Sequence, residues 1–333
     1  MGSVTVLHLD AGPDQSLDEE LAQLAPLDVN LVRGRLLSPE ERERRLREAD
    51  AVLVAMTQVD YDAINCLEKC KVIVRYGVGV DNIDLAAATE RGIVVAYLPG
   101  YCTEEVANHA LALLLASARS ILALDSHVKG GGWTRRGETP RPLYGETLGI
   151  IGFGRIGRAL ARRALALDML VVAHDPYVSR EVVAEHGATK TDLDSLLRES
   201  DYVSLNASLT PETRGLIGRR ELALMKESAF LINTARGPEV DETALVEALR
   251  DRRIAGAALD VFEEEPLPAD SPLRSLDNVV LTPHMAFFSR RSMARARREV
   301  GLAAAAVLNG RWPKWVANPE VAEKLSLLPN DEQ

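Results

Sequence analysis

Short apolar, β-branched runs alternate with stretches of helical spacing through the first hundred residues, the pattern of parallel strands in one sheet with helices on its faces. Val4 to Leu9 reads as a first strand, Ala51 to Val54 and Val72 to Arg75 as later ones. A further strand, Ile93 to Tyr97, is entered from Gly92 and broken by Pro99-Gly100. Ser38-Pro39-Glu40-Glu41 has the chemistry of a helix start: a hydroxyl cap, proline in the first turn and acidic side chains against the positive end of the dipole. Thr103 is expected to cap a long helix in the same way, with Glu104 and Glu105 in its first turn. Its body, Val106 to Ala118, is apolar on nearly all sides, which calls for burial between domains or subunits. A polar, glycine-rich connector from Lys129 through Pro142, with Trp133 inside it, follows. A second alternating series runs from Thr147 to about Thr282, then a last helix, Gly310-Arg311-Trp312-Pro313 and a polar tail. No internal repeat is visible, and 333 residues exceed what one core usually organises, so two domains are expected.

Composition adds exclusions. Hydrophobic residues make up 47% and charged residues 26%, and no uninterrupted apolar stretch is long enough to cross a bilayer. The first ten residues lack a basic start and a small-residue cleavage pattern, so no signal peptide is read and a cytoplasmic location is expected. The net charge of −10 repels nucleic acid. Arg290, Arg291, Arg295, Arg297 and Arg298 crowd one predicted helix, and a solvated face explains them without a nucleic-acid partner. Cys66, Cys70 and Cys102 are too few for a disulfide framework. Cys66 and Cys70 are expected on one helix face as buried thiols; no second pair completes a zinc site, and no metal is expected.

The strand Leu148-Gly149-Ile150-Ile151 runs directly into Gly152-Phe153-Gly154-Arg155-Ile156-Gly157 and then a helix. Glycines in this context permit a tight turn and let a pyrophosphate approach the first N–H groups of the helix. Another strand, Leu170 to Ala173, ends in His174-Asp175-Pro176, placing a carboxylate 18 residues beyond Gly157, where ribose hydroxyls are expected. Such a carboxylate accepts from a free 2′-hydroxyl and repels a 2′-phosphate, so Asp175 argues for NAD over NADP.

Three later strand ends carry polar residues that a sheet does not require. Phe230 to Thr234 delivers Ala235-Arg236-Gly237, Ala257 to Phe262 leads to Glu263-Glu264-Glu265-Pro266, and Val279 to Pro283 leads to His284. In an open parallel sheet ligands sit outside the carboxyl ends of the strands, where these three can converge. Reduction of a 2-oxo acid needs a cation to hold the carboxylate and an acid to protonate the oxygen. Arg236 suits the first role through its permanent, bidentate fork, and His284 the second through a pKa near neutrality. Glu265 would orient the imidazole and favour its protonated form.

These residues resemble the NAD-dependent D-isomer-specific 2-hydroxyacid dehydrogenases over nearly the whole chain. The likeness rests on Arg75-Tyr76-Gly77-Val78-Gly79-Val80-Asp81-Asn82-Ile83-Asp84, the glycine loop with Asp175, Asn233 to Gly237, Leu259 to Pro266 and Thr282-Pro283-His284. The resemblance implies an α/β fold of two doubly wound parallel-sheet domains. One is a discontinuous, flavodoxin-like substrate domain (1–101 and 290–333), the other a Rossmann NAD-binding domain (102–289). It implies Arg236, Glu265 and His284 as the catalytic set. Cofactor contacts would come from Gly152, Gly154, Arg155, Ile156, Gly157, Asp175, Pro176, Asn206, Ala207, Thr213, Thr234, Ala235, Arg236, Asp260 and His284, with Asp260 on the nicotinamide carboxamide. Substrate contacts would come from Met56, Tyr76, Val78, Gly79, Arg236, His284 and Phe287, with the N–H groups of Val78 and Gly79 on the substrate carboxylate. It also implies a homodimer built around the helix spanning Val106 to Ala118.

Some positions depart from the family pattern. Asn206 stands where histidine is usual, and Met285-Ala286-Phe287-Phe288-Ser289 is bulkier than the usual small residues. That segment is similar to the C-terminal binding protein corepressors. A second reading follows, an NAD(H)-sensing dimeric scaffold with no need for acid/base chemistry. Phe287 is either an apolar wall of the substrate pocket or interdomain core. A phosphoglycerate dehydrogenase would want a cation near Val54 to Thr57, where none stands; Val78 in place of lysine disfavours phosphite oxidation, and Glu265 disfavours formate oxidation.

Overall fold

The structure, a computed structural model, describes residues 3–133 and 140–330. Residues 134–139 of the expected connector and 331–333 of the expected polar tail lie outside the described residues. The chain divides into two compact units, Met1–Tyr101 with Ser289–Gln333 (unit 1) and Cys102–Phe288 (unit 2). Ser289 goes with unit 1 because its hydroxyl caps the helix that follows, accepting from the Ser292 N–H.

Unit 1 opens with β1 (Val4–His8), α1 (Asp18–Leu24), β2 (Val29–Arg33), α2 (Pro39–Glu48), β3 (Ala51–Val54), α3 (Tyr61–Asn65), β4 (Val72–Arg75), α4 (Leu85–Glu90) and β5 (Val94–Ala96). The five strands are parallel in the order β2-β1-β3-β4-β5. β3, β4 and β5 are buried along their full length, which suits their unbroken apolar runs. Ser38 caps α2 as its sequence requires, accepting from the Glu41 N–H at 3.2 Å. Cys66 and Cys70 do not share a helix: α3 ends at Asn65, Cys66 closes it, and the chain turns back toward β4 through Cys70. Cys70 is buried and Cys66 partly so.

Unit 2 comprises α5 (Thr103–Ala118), α6 (Ile121–Lys129), β6 (Thr147–Ile151), α7 (Arg155–Leu165), β7 (Leu170–His174), α8 (Arg180–Glu185), β8 (Thr189–Lys190), α9 (Leu193–Glu199), β9 (Tyr202–Leu205), α10 (Arg219–Leu224), β10 (Phe230–Asn233), α11 (Glu242–Arg250), β11 (Gly256–Leu259) and β12 (Val279–Leu281). Its seven strands are parallel in the order β12-β11-β10-β9-β6-β7-β8, so the order reverses beside β6, where a doubly wound sheet opens its ligand crevice. Cys102, not Thr103, is the cap residue of α5, and no side chain caps this end. The apolar body of α5 is buried within unit 2 itself, in a core that includes Ala107, Ala110, Leu114, Leu160 and Ile232. Its exposed side carries Glu104 and Asn108, which bond Arg162 and Arg163 of α7.

The chain returns to unit 1 with α12 (Arg290–Leu308), which packs along α1. Of its five arginines, Arg290, Arg291 and Arg298 are solvated, while Arg295 donates to the Tyr101 carbonyl and Arg297 reaches Glu19. Asn318 then finishes the β5 edge, accepting from the Val95 N–H at 2.8 Å and donating to the Ile93 carbonyl at 2.9 Å. Among the described residues no single helix is long and apolar enough to cross a membrane.

His8, at the end of β1, is 2% exposed, stacks on Tyr76 with ring centroids 5.0 Å apart, and has no hydrogen bond on either ring nitrogen. Burial pushes its pKa down to about 4; Asp10 opposes that shift, and Arg33 and Arg297 add to it. The native state therefore favours the neutral ring, so this stabilisation is complete above the ordinary value of 6.5 and is lost as pH falls toward 4. Urea denaturation at pH 7.5 and 4.5 should show the wild type losing about 2–3 kcal/mol more than His8→Phe, which keeps the stack and cannot titrate. Equal losses in the two proteins would refute a neutral, buried His8.

Candidate active site

The crevice of unit 2 begins where β6 ends. Gly152 has φ +87, and a side chain there would press on the Ala207 backbone nitrogen at 2.6 Å; one at Gly157 would stand 2.3 Å from the Gly152 carbonyl oxygen. Gly154 caps α7 without a side-chain acceptor, which leaves first-turn N–H groups of the helix to an external anion. Asp175, at the end of β7, accepts from the Phe153 N–H at 2.8 Å and from the Tyr177 N–H at 2.9 Å, so the carboxylate is locked onto the glycine loop. Arg155 and Pro176 are exposed beside it and Ile156 is half-buried. At the ends of β9 and β10, Asn206 Oδ1 and Thr234 Oγ1 are buried with no hydrogen-bond partner. The Asn206 amide nitrogen is turned back onto Ser204. Orphaned acceptors and a tight glycine loop along one sheet edge fit the amide and hydroxyl groups of a dinucleotide. Thr213 is different: its hydroxyl donates to the Ser208 carbonyl at 2.7 Å and accepts from the Thr210 N–H at 2.8 Å, so it closes its own turn.

Arg236, Glu265 and His284 follow the neighbouring strands β10, β11 and β12, which lie side by side in register. The turn at Arg236 is fixed by Asn233, whose side chain donates to the Arg236 carbonyl at 2.8 Å and accepts from the Ala235 N–H at 2.9 Å. Gly237 then packs against the Phe262 backbone so closely that a side chain would overlap it at 1.9 Å. The Arg236 turn and the start of the Glu265 loop are therefore in contact. Glu265 accepts from the Phe262 N–H at 3.0 Å through Oε1, and its Oε2 stands 2.6 Å from His284 Nδ1. His284 is held at φ +51, a left-handed conformation that disfavours an ordinary side chain. Phe287 sets its ring edge-on to His284, centroids 6.2 Å apart, and edge-on to Phe288.

Asp260 lies under this loop rather than in the crevice. It is wholly buried, and its two oxygens accept from the Thr282 hydroxyl at 2.5 Å and from the N–H groups of Met285 and Ala286 at 2.9 and 2.8 Å. Burial pushes its pKa up, but hydrogen bonds from His109, Thr282, Met285 and Ala286 outweigh burial and hold it below the ordinary carboxylate value. The resemblance gives this residue to the carboxamide; with no exposed surface, its side chain serves the loop.

In unit 1 the loops after β3 and β4 are tied together. The Asp10 carboxylate accepts from the N–H groups of Ala55, Met56 and Thr57 at 2.6, 3.2 and 3.0 Å and from the Thr57 hydroxyl at 2.8 Å. The Asn82 amide donates to the Thr57 carbonyl at 2.8 Å, and Arg75 donates to the Tyr76 carbonyl at 2.6 Å. The Tyr76 hydroxyl donates to buried Glu20 at 2.7 Å. Met56 is left 54% exposed, and among the described residues the N–H groups of Val78 and Gly79 have no partner within the chain. Sequence reasoning passed over Asp10, Asn82 and His109. Only the motif containing Asn82 gave a signal, because contacts across tens of residues leave no local pattern.

Residues 111–286 match the family model for the NAD binding domain of the D-isomer specific 2-hydroxyacid dehydrogenases. The chain is 43% identical over 299 residues to the D-3-phosphoglycerate dehydrogenase of Methanocaldococcus jannaschii, covering 89% of this chain and 55% of that protein. It thus spans about half the length of that relative. It is 42% identical over 284 residues to the glyoxylate reductase of Korarchaeum cryptofilum, covering 84% of this chain and 86% of the other. A solved D-lactate dehydrogenase from Aquifex aeolicus, complexed with NAD and lactic acid, superposes with a TM-score of 0.83 at 30% identity, covering 96% of this chain and 98% of that one. All three carry enzyme names, and none is a corepressor.

The glycine geometry makes a direct prediction. Gly157→Ala should weaken NADH binding at least about tenfold by titration of NADH fluorescence, because the added methyl opens the turn that brings pyrophosphate to the helix. Unchanged affinity would place the dinucleotide elsewhere.

Proposed function

The chain belongs to the D-isomer specific 2-hydroxyacid dehydrogenases, and from that premise we propose that it transfers a hydride between NAD(H) and a small 2-oxo or 2-hydroxy acid. The observation that carries the proposal is the contact of His284 Nδ1 with Glu265 at 2.6 Å, in a loop cluster that also carries Arg236. Bound NAD(H) supplies the nicotinamide that gives or takes the hydride. The Arg236 guanidinium holds the substrate carboxylate and polarises the oxygen on C2. With Nδ1 committed to Glu265, Nε2 of His284 is the nitrogen left to protonate that oxygen in reduction, or to take its proton in oxidation. In unit 1 the N–H groups of Val78 and Gly79, without a partner among the described residues, are proposed to donate to a substrate carboxylate.

Met56 and Tyr76 in unit 1, and independently Phe287 in unit 2, are proposed as residues that contact the substrate's remaining group. The Asp10 carboxylate already occupies the N–H groups of the 55–57 loop, which speaks against a phosphorylated tail and for a small uncharged one. Glyoxylate reductase, the name of a relative covered along most of its length, supports an acid of that size. The Asp175 side chain, held on the glycine loop by the Phe153 N–H, supports NAD over NADP.

Purified protein should oxidise NADH, and NADPH far more slowly, with at least one member of a 2-oxo acid panel. His284→Ala should lower kcat by about 100- to 10,000-fold while leaving NADH affinity near that of the wild type. Turnover by neither cofactor across the panel, or an unaffected His284→Ala, would end this reading.

The protein is proposed to act as a cytoplasmic homodimer, with neither nucleic acid nor membrane as partner. Support for a dimer comes from α6, where Ile121, Leu122 and Val128 are each about half exposed. Sedimentation velocity should give a dimer for the wild type and a monomer for Leu122→Asp; a monomeric wild type would reject the dimer.

A further inference from the structure

A buried polar chain runs from α5 to the loop that carries His284. Its inner end is Asp260, whose carbonyl and carboxylate accept four hydrogen bonds from that loop. The Asp260 carbonyl accepts from the His284 N–H at 2.7 Å, and the carboxylate accepts from the Met285 and Ala286 N–H groups and from the Thr282 hydroxyl. Three consecutive N–H groups, 284 to 286, are thereby tied to one residue, across the point where the backbone is left-handed. That conformation costs on the order of 1–3 kcal/mol and persists only where surrounding bonds over-determine it.

The outer end is His109, in the second turn of α5 and a quarter exposed. Its Nε2 stands 3.0 Å from Thr282 Oγ1 and 3.5 Å from Asp260 Oδ1. Thr282 has one hydroxyl proton, and at 2.5 Å it gives that proton to Asp260, because an ionised carboxylate can only accept. The remaining contact of the hydroxyl must therefore be an accepted bond, and His109 Nε2 is its donor. The result is a directed chain, His109 N–H to Thr282 O–H to Asp260, with every proton assigned. Removing His109 takes the donor from Thr282 and frees a rotamer that otherwise points at the carboxylate.

We propose that His109 is a positioning residue for the reaction, acting through Thr282 and Asp260 to fix the left-handed turn that aims the His284 ring at Glu265 and at the substrate oxygen. The inference rests on the assignment of His284 as the proton-transferring group. It asks nothing of His109 as an acid or base in the chemical step, only that its Nε2 donate.

The test uses the full-length enzyme, NADH and the best 2-oxo acid of the panel, with His109→Ala, His109→Gln and Thr282→Val. A misaimed acid should lower kcat about 10- to 100-fold in His109→Ala and Thr282→Val, while KM and NADH affinity change by less than about threefold. His109→Gln, whose amide nitrogen can donate to the same hydroxyl, should recover most of the lost kcat. Combining His109→Ala with Thr282→Val should cost no more than either alone, since both break one chain. Amide hydrogen exchange at Met285 and Ala286 should quicken in His109→Ala and slow again in His109→Gln. A wild-type kcat in His109→Ala would overturn the proposal. So would parallel loss of kcat, KM and NADH binding without rescue by glutamine, the mark of a merely structural residue. If the wild type turns over no substrate while the exchange pattern follows His109 as stated, the catalytic assignment of His284 fails and the positioning chain stands.

Discussion

A carboxylate without exposed surface is stable only when its bonds replace what water would give, and Asp260 satisfies that condition by organising the segment that follows β12. His109, the Thr282 hydroxyl and the two N–H groups together outweigh its burial and hold its pKa below the ordinary carboxylate value. The backbone geometry at His284 accompanies that arrangement: the N–H groups of residues 284, 285 and 286 all face residue 260 where the chain turns the left-handed way. Strain at His284 and satisfaction of a buried carboxylate are thus two sides of one local solution. The Glu265 loop starts from the same strand, β11, and its Phe262 N–H orients the carboxylate that meets the histidine.

Residues whose place follows from local sequence were legible in advance. A glycine pattern between a strand and a helix, an acidic residue at the next strand end, and polar residues after three consecutive strands needed no knowledge of distant contacts, because parallel sheets bring all such ends to one edge. The helix start at Ser38 was equally local. Elements with weak patterns were not read: β2 is only partly buried along its length, and β8 has two residues at a sheet edge. The cap at Thr103 failed because the chain enters that helix one residue earlier, at Cys102, with no side chain turned onto the N–H groups. A spacing of four between Cys66 and Cys70 suggested a helix face, but α3 has already ended by then.

What stayed hidden is the framework beneath these strand ends. Asp10 meets residues 55 to 57 across 45 to 47 positions, and His109 meets Thr282 across 173. Neither pairing has a periodicity, and each residue taken singly has a bland explanation as a capping or surface group. Asn206 is a middle case. Its departure from the usual histidine was visible, but that its amide nitrogen folds back on Ser204 and leaves the oxygen buried could come only from three dimensions.

The route of the chain has a consequence for biosynthesis. Unit 2 is one uninterrupted segment, whereas unit 1 needs Asn318 to complete the β5 edge at Val95, 223 residues earlier. At ordinary translation speeds the first hundred residues wait on the order of 10 to 40 seconds for that asparagine and for the helix that covers α1. During the interval the nascent sheet lacks Asn318 at Val95, and α1 lacks the α12 face it packs against. Vectorial synthesis thus completes unit 2 before unit 1, although unit 1 begins first.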